Sequence, residues 1–132
     1  MSRLDSSYSR LMGIRAYVDA EGREQLLLPF GQHLIGRPSF LHGGAIAGFL
    51  SVACDHAMAR ETASADAAAV RCITSTLQFL RPGREKDLTA TASVQRGRAI
   101  STVQAVAWQE TESKPIAIVT RKYCMEPTRQ ER

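Results

Sequence analysis

Apolar residues recur along this chain with two different periods, and the change of period divides it into elements. Gly13–Asp19 and Glu24–Leu28 read as two strands, with Glu21-Gly22 suited to the turn between them and Pro29 as a stop. Residues 31–38 are loop-like. Ile46, Phe49, Leu50, Ala53 and Ala57 then fall at helical spacing, which predicts a helix from about Gly43 to Arg60. At 1.5 Å per residue that helix is roughly 27 Å long. Its opposite stripe, Gly44, Gly48, Ser51 and Asp55, is small and weakly polar rather than charged. Such a face is expected to be covered, by a ligand or another subunit; the other reading is a surface helix whose small residues carry no meaning.

Residues 62–69 read as a loop or a fraying helix end. Beyond them the period becomes two. Val70–Leu80 is a strand ended by Arg81-Pro82-Gly83, and Leu88–Arg96 alternates Leu88, Ala90, Ala92 and Val94 against Thr89, Thr91, Ser93 and Gln95. Ala99–Gln109 and Pro115–Met125 complete the set. Strand and helix are segregated, so the expected class is α+β. One helix cannot cover two sheets, so the simplest solution is a single curved antiparallel sheet wrapped around the helix, with edges open to another subunit.

Length and composition narrow this further. A chain of 132 residues with 44% apolar content fits one domain, 1–132, with residues 1–12, a short helix or a loose arm, and residues 126–132 as peripheral arms. No run approaches the roughly 20 apolar residues of a membrane helix, and the first residues lack the apolar core of a signal peptide, so a cytoplasmic protein without membrane contact is expected. Three cysteines without a CxxC, and histidines without ligand spacing, indicate neither a disulfide framework nor a metal. The net charge of +4 suits an anionic ligand. With 6% aromatic residues and no stacking motif, nucleic acid is not the expected partner.

Four groups of residues resemble the hotdog-fold acyl-CoA thioesterases, in particular the PaaI-like branch associated with phenylacetate degradation. They are Pro29-Phe30 with Leu34-Ile35-Gly36 and Pro38; His42-Gly43-Gly44 opening the helix; Leu77-Gln78-Phe79-Leu80-Arg81-Pro82 followed by Asp87-Leu88; and Gly97-Arg98. The resemblance implies hydrolysis of a small, medium-chain or aryl acyl-CoA, with CoA as part of the substrate and no cofactor. It also implies a homodimer, or a tetramer built from it, with the site at the dimer interface beside the helix N-terminus.

Thioester hydrolysis develops negative charge on the carbonyl oxygen. Free N–H groups and the positive end of the helix dipole can meet that charge, and Gly43 and Gly44 leave the backbone open to it. In the other reading the glycines only ease entry into the helix. His42 either donates to the substrate or fixes the loop. The family usually places a carboxylate eight residues after the first of these glycines, where this chain has Ser51. Asp55 follows one turn later. It either activates water with Ser51 assisting, or lies too deep and leaves Ser51 holding the water, or pairs with an arginine across the dimer. Arg37 stands near the place of a family asparagine. Cys72, Thr74 and Thr76 are expected on one strand face, with Cys72 and Thr74 as substrate contacts, and Arg81, Arg96 and Arg98 are candidates for the CoA phosphates. Phe40, Phe49 and Met58 either line the acyl pocket or belong to the core. The missing carboxylate motivates an alternative, a non-catalytic acyl-CoA-binding protein; a related dehydratase lacks its motifs here.

Overall fold

The computed structural model describes residues 3–63 and 67–127. A 3-10 turn (Arg3–Asp5) leads into α1 (Ser7–Met12), β1 (Arg15–Val18) and β2 (Glu24–Leu28). After a second 3-10 turn (Gln32–Leu34) come α2 (Gly43–Glu61), β3 (Ala67–Phe79), β4 (Leu88–Gln95), β5 (Ile100–Trp108) and β6 (Ala117–Pro127). All six strands form one antiparallel sheet in the order β1-β2-β4-β5-β6-β3. The expected α+β architecture, one sheet on one long helix, is what the chain adopts.

The core lies between α2 and the inward face of the sheet. Ile46, Phe49, Leu50, Ala53, Cys54 and Met58 are buried on the helix side. Leu26, Leu28, Leu88, Val103 and Val119 meet them from the strands, with Ala90, Ala105, Ala107 and Ala117 between. The small alanines let a helix bearing Phe49 and Met58 seat at close-packed density. Phe49 and Met58 are therefore core residues.

Both ends of α2 are held. His42 caps the first turn, and at the far end Thr62 Oγ1 donates to Met58 O at 2.7 Å. Arg96 Nη1 donates to Glu61 O at 3.1 Å, so a cation meets the negative end of the helix dipole. On β2, Glu24 accepts from His56 Nε2 at 2.5 Å and from Arg60 Nη1 at 2.8 Å, which ties that helix end to the sheet. Burial raises the Glu24 pKa, but these two donors outweigh it and the net shift is downward.

Three expectations need correction. The first concerns the small-residue stripe of α2, expected to lie under a ligand or another subunit. Where described, residues 1–12 take the short-helix reading: α1 is capped by Ser6, whose Oγ accepts from the Ser9 amide at 3.1 Å, and closed by Gly13 at φ 73°. Tyr8 of α1 lies on α2 at Gly48, where a Cβ would stand 2.1 Å from the Tyr8 hydroxyl. The chain's own first helix thus covers part of the small-residue stripe. Secondly, β3 starts at Ala67, inside the segment expected to be loop; residues 64–66 of that segment lie outside the described residues, as do residues 128–132 of the expected C-terminal arm.

The third correction is a register shift in β3 between Cys72 and Thr74. Cys72 pairs with Tyr123, whose side chain is buried toward the helix, whereas Thr74 and Thr76 pair with Lys122 and Thr120 on the opposite face. One extra residue, Ile73, reverses the alternation, so the three do not share a face. Thr74 points away from the helix side. As an edge strand, β3 pairs only with β6, and residues 71–76 are exposed.

Candidate active site

A cleft of about 700 Å³ opens at the N-terminus of α2. Its walls come from the loop before the helix (Gly36, Arg37, Phe40 to Gly43), from Ile46, and from the segment that ends β3 (Phe79 to Arg84). Local chemistry folds that loop. Its backbone closes on itself through Gly36 N to Phe40 O at 3.0 Å and His42 N to Leu34 O at 2.7 Å. Leu41 N donates to Gly83 O at 2.9 Å and joins the two walls.

His42 folds back over the helix start, and its Nδ1 accepts from the Gly44 amide at 2.9 Å. An acceptor Nδ1 leaves the ring proton on Nε2. A Cβ on residue 44 would stand 2.9 Å from ring atoms Cε1 and Nδ1, so the cap depends on glycine at that position. The expectation that both glycine amides are open to a substrate is corrected here: Gly44 N–H is taken by the ring. Gly43 N–H has no acceptor among the described residues and faces the cleft region, with the Phe79 ring 3.5 Å from where a Cβ would be. His42→Ala is expected to destabilise the fold by about 1 kcal/mol in urea unfolding, with His42→Asn recovering most of it. An unchanged midpoint for the alanine variant would refute the capping role.

Arg37, Arg81 and Arg84 line the cleft, and among the described residues no acidic side chain does. The guanidinium groups of Arg37 and Arg84 lie 4.8 and 4.9 Å from the Phe40 ring centroid, one aromatic ring holding two cations. Arg81 Nη1 donates to Pro115 O at 2.8 Å. The backbone N–H of Arg84 donates to Gln109 Oε1, and its carbonyl accepts from Gln109 Nε2, both at 2.9 Å.

Ser51 and Asp55 lie further along α2, about 12 and 18 Å from Gly43 along the axis, and do not line this cleft. Ser51 Oγ donates to Ala47 O at 3.0 Å, inside its own helix. Asp55 Oδ1 accepts from Arg121 Nη1 at 3.0 Å and from the Tyr123 hydroxyl at 2.7 Å. The arginine that pairs with Asp55 therefore comes from β6 of the same chain, not from across a dimer. Burial pushes the Tyr123 phenol up, and the hydrogen bond to Asp55 adds to it, so Tyr123 stays a donor. Burial opposes the charge on Arg121, yet the Tyr123 oxygen and Asp55 outweigh it and the guanidinium stays protonated.

A family model described as the acyl-CoA thioesterase N-terminal domain matches residues 36–122, about two thirds of the chain, including the cleft, α2 and β3 to β5. The chain belongs to the acyl-CoA thioesterase family. A search of curated proteins finds no match. Among solved structures, a Chromobacterium violaceum protein is 31% identical, with TM-score 0.73, 97% of this chain and 88% of that one covered. A Silicibacter pomeroyi thioesterase family protein is 25% identical, with TM-score 0.77 and coverage of 93% and 91%. A Bacillus halodurans protein crystallised with CoA is 20% identical, with TM-score 0.81 and coverage of 96% and 83%. The fold is the hotdog fold.

Within this thioesterase-family chain, the structure gathers His42, Gly43, Arg37 and Arg81 around one cleft, and keeps Ser51 and Asp55 on a separate part of the same helix. Arg96 is engaged at the C-terminal end of α2, and Arg98 is exposed in the loop after β4, so neither joins the cleft. Cys72 is exposed, with its Sγ 3.2 Å from Thr74 O. Sequence reasoning missed Arg84, Arg121 and Tyr123. Arg84 closes the Arg81-Pro82-Gly83-Arg84 run, a nearby signal that was legible. Arg121 and Tyr123 show none, since their partner on α2 is distant in the chain.

Proposed function

We propose that the protein hydrolyses the thioester of a small, medium-chain or aryl acyl-CoA, needs no cofactor, and works in the cytoplasm in the manner of the PaaI-like branch. One observation carries this reading: the helix N-terminus, with the Gly43 amide unpaired, opens into a cleft bearing three arginines and no acid. The arginines suit the CoA phosphates as guanidinium–phosphate contacts, and the amide suits the carbonyl oxygen as it gains charge. The exposed edge of β3 suits pairing with the same edge of a second copy, giving a homodimer that can assemble into a tetramer. In that dimer Ser51 and Asp55 of one protomer would face the cleft of its partner.

A specific observation favours a second reading, acyl-CoA binding without turnover. Ser51 is turned into its helix, and Asp55 is already paired with Arg121 and Tyr123. Steady-state release of CoA from a panel of short, medium and aryl acyl-CoAs, with calorimetric binding of the same compounds, separates the two. Turnover above background is expected. Saturable binding without turnover transfers the conclusion to the second reading, and absence of binding removes both.

A further inference from the structure

Arg84 brings its charge into the cleft from residues 81–87, a connection between β3 and β4 with no regular element of its own. Such a segment holds a long side chain in place only if its backbone is tied down elsewhere. Two ties do this. From the opposite wall, Leu41 N donates to Gly83 O at 2.9 Å. From behind, Gln109, the residue after β5, reaches the backbone of Arg84 with both ends of its amide. Its Oε1 accepts from Arg84 N at 2.9 Å, and its Nε2 donates to Arg84 O at 2.9 Å and to Lys86 O at 3.1 Å. A glutamine amide has two N–H donors and one carbonyl acceptor, and the acceptor and the amide nitrogen both serve this one segment. Lys86 N adds a turn hydrogen bond to Arg84 O at 2.8 Å.

The clamp places the Arg84 guanidinium on the Phe40 ring, which Arg37 shares. Two like charges on one ring repel, and neither has a carboxylate partner among the described residues. A phosphate is the group that such a pair receives with gain, because guanidinium donors match its oxygens and its charge removes the repulsion.

We propose that Gln109 is a positioning residue, which clamps the backbone of Arg84 so that its guanidinium stands ready beside Arg37 for a phosphate of the CoA nucleotide. This rests on the acyl-CoA reading above and adds to it the residue that organises the phosphate end of the cleft.

Hexanoyl-CoA and hexanoyl-pantetheine test it, since they carry the same thioester and differ in the phosphates and nucleoside. Arg84→Ala is expected to raise KM for hexanoyl-CoA about tenfold, the loss of one charge-assisted contact. Gln109→Ala is expected to raise it about fivefold, because the long side chain must then be ordered at binding. The loss in Gln109→Ala is expected to be confined to the phosphate-bearing substrate. In an Arg84→Ala background the same substitution should add nothing, because the side chain that it positions is gone. An unaltered KM in Gln109→Ala, an equal loss on both substrates, or a full fivefold loss without Arg84 overturns the role. If the wild type turns over neither substrate, hydrolysis falls, and the Kd of CoA by calorimetry judges Gln109 by the same comparisons. If CoA does not bind the wild type, both readings fall.

Discussion

Ser51→Asp is expected to raise kcat for an acyl-CoA by at least about tenfold, with little change in KM. In the proposed dimer, where Ser51 faces the partner's cleft, the Gly43 amide would meet the developing oxyanion and the arginines the phosphates, but position 51 holds a hydroxyl that donates to Ala47 O at 3.0 Å. A hydroxyl without a base is a poor proton acceptor, whereas a positioned carboxylate contributes typically about 10²–10⁴-fold as a general base. A gain below that range is expected because an introduced carboxylate has no partners built to fix its geometry. A carboxylate at 51 also cannot donate to Ala47 O, so its side chain turns outward, toward the face that Tyr8 and Asp55 share. The measurement is initial-rate CoA release across pH 5–9. A rate no higher than wild type would show that the water does not pass over residue 51.

Asp55→Ala is expected to lower the unfolding free energy by about 2–3 kcal/mol, below the full cost of breaking a buried pair because both partners keep some contact with solvent. Side-chain exposure is 16% for Arg121 and 31% for Asp55. Removing the carboxylate leaves the Arg121 guanidinium inside the protein with the Tyr123 oxygen and Ser51 O as its remaining acceptors, while Arg121 Nε already lacks one. Equilibrium unfolding in urea reads the loss, and the double variant Asp55→Ala with Arg121→Leu should recover most of it, since the orphaned charge goes too. An Asp55→Ala midpoint equal to wild type would mean that the pair carries no net stability.

Much of the architecture was legible because its signals are local. Leu88 to Gln95 alternates by twos, and Ala90 and Leu88 are indeed buried while Ser93 and Gln95 are exposed. Ile46, Phe49, Leu50 and Ala53 mark the buried face of α2 with the same directness. His42-Gly43-Gly44 located the cleft, though not that the ring would occupy the Gly44 amide, which is set by a side-chain rotamer. The Ile73 bulge escaped because an extra residue leaves no mark on composition, and it reversed the faces assigned to Cys72 and Thr74. α1 was legible only as one of two readings, because six residues with a polar composition show no periodicity. The Asp55 partner was illegible for a different reason: Arg121 is 66 positions away, and only tertiary packing brings them together.

The strand order sets a sequence of events for the newborn chain. β3 is made before β4 and β5, yet its only neighbour in the sheet is β6, which leaves the ribosome after all of them. Until β6 emerges, a thirteen-residue strand with an unmade ladder on each side must wait beside a helix that touches it little. Closure of that loop is long-range and late, so β6 must be made before the sheet can close, and the β2-β4-β5 portion with α2 is the part able to collapse first. Premature termination before Ala117 therefore costs two strands rather than one, because β3 is left without the neighbour it pairs with.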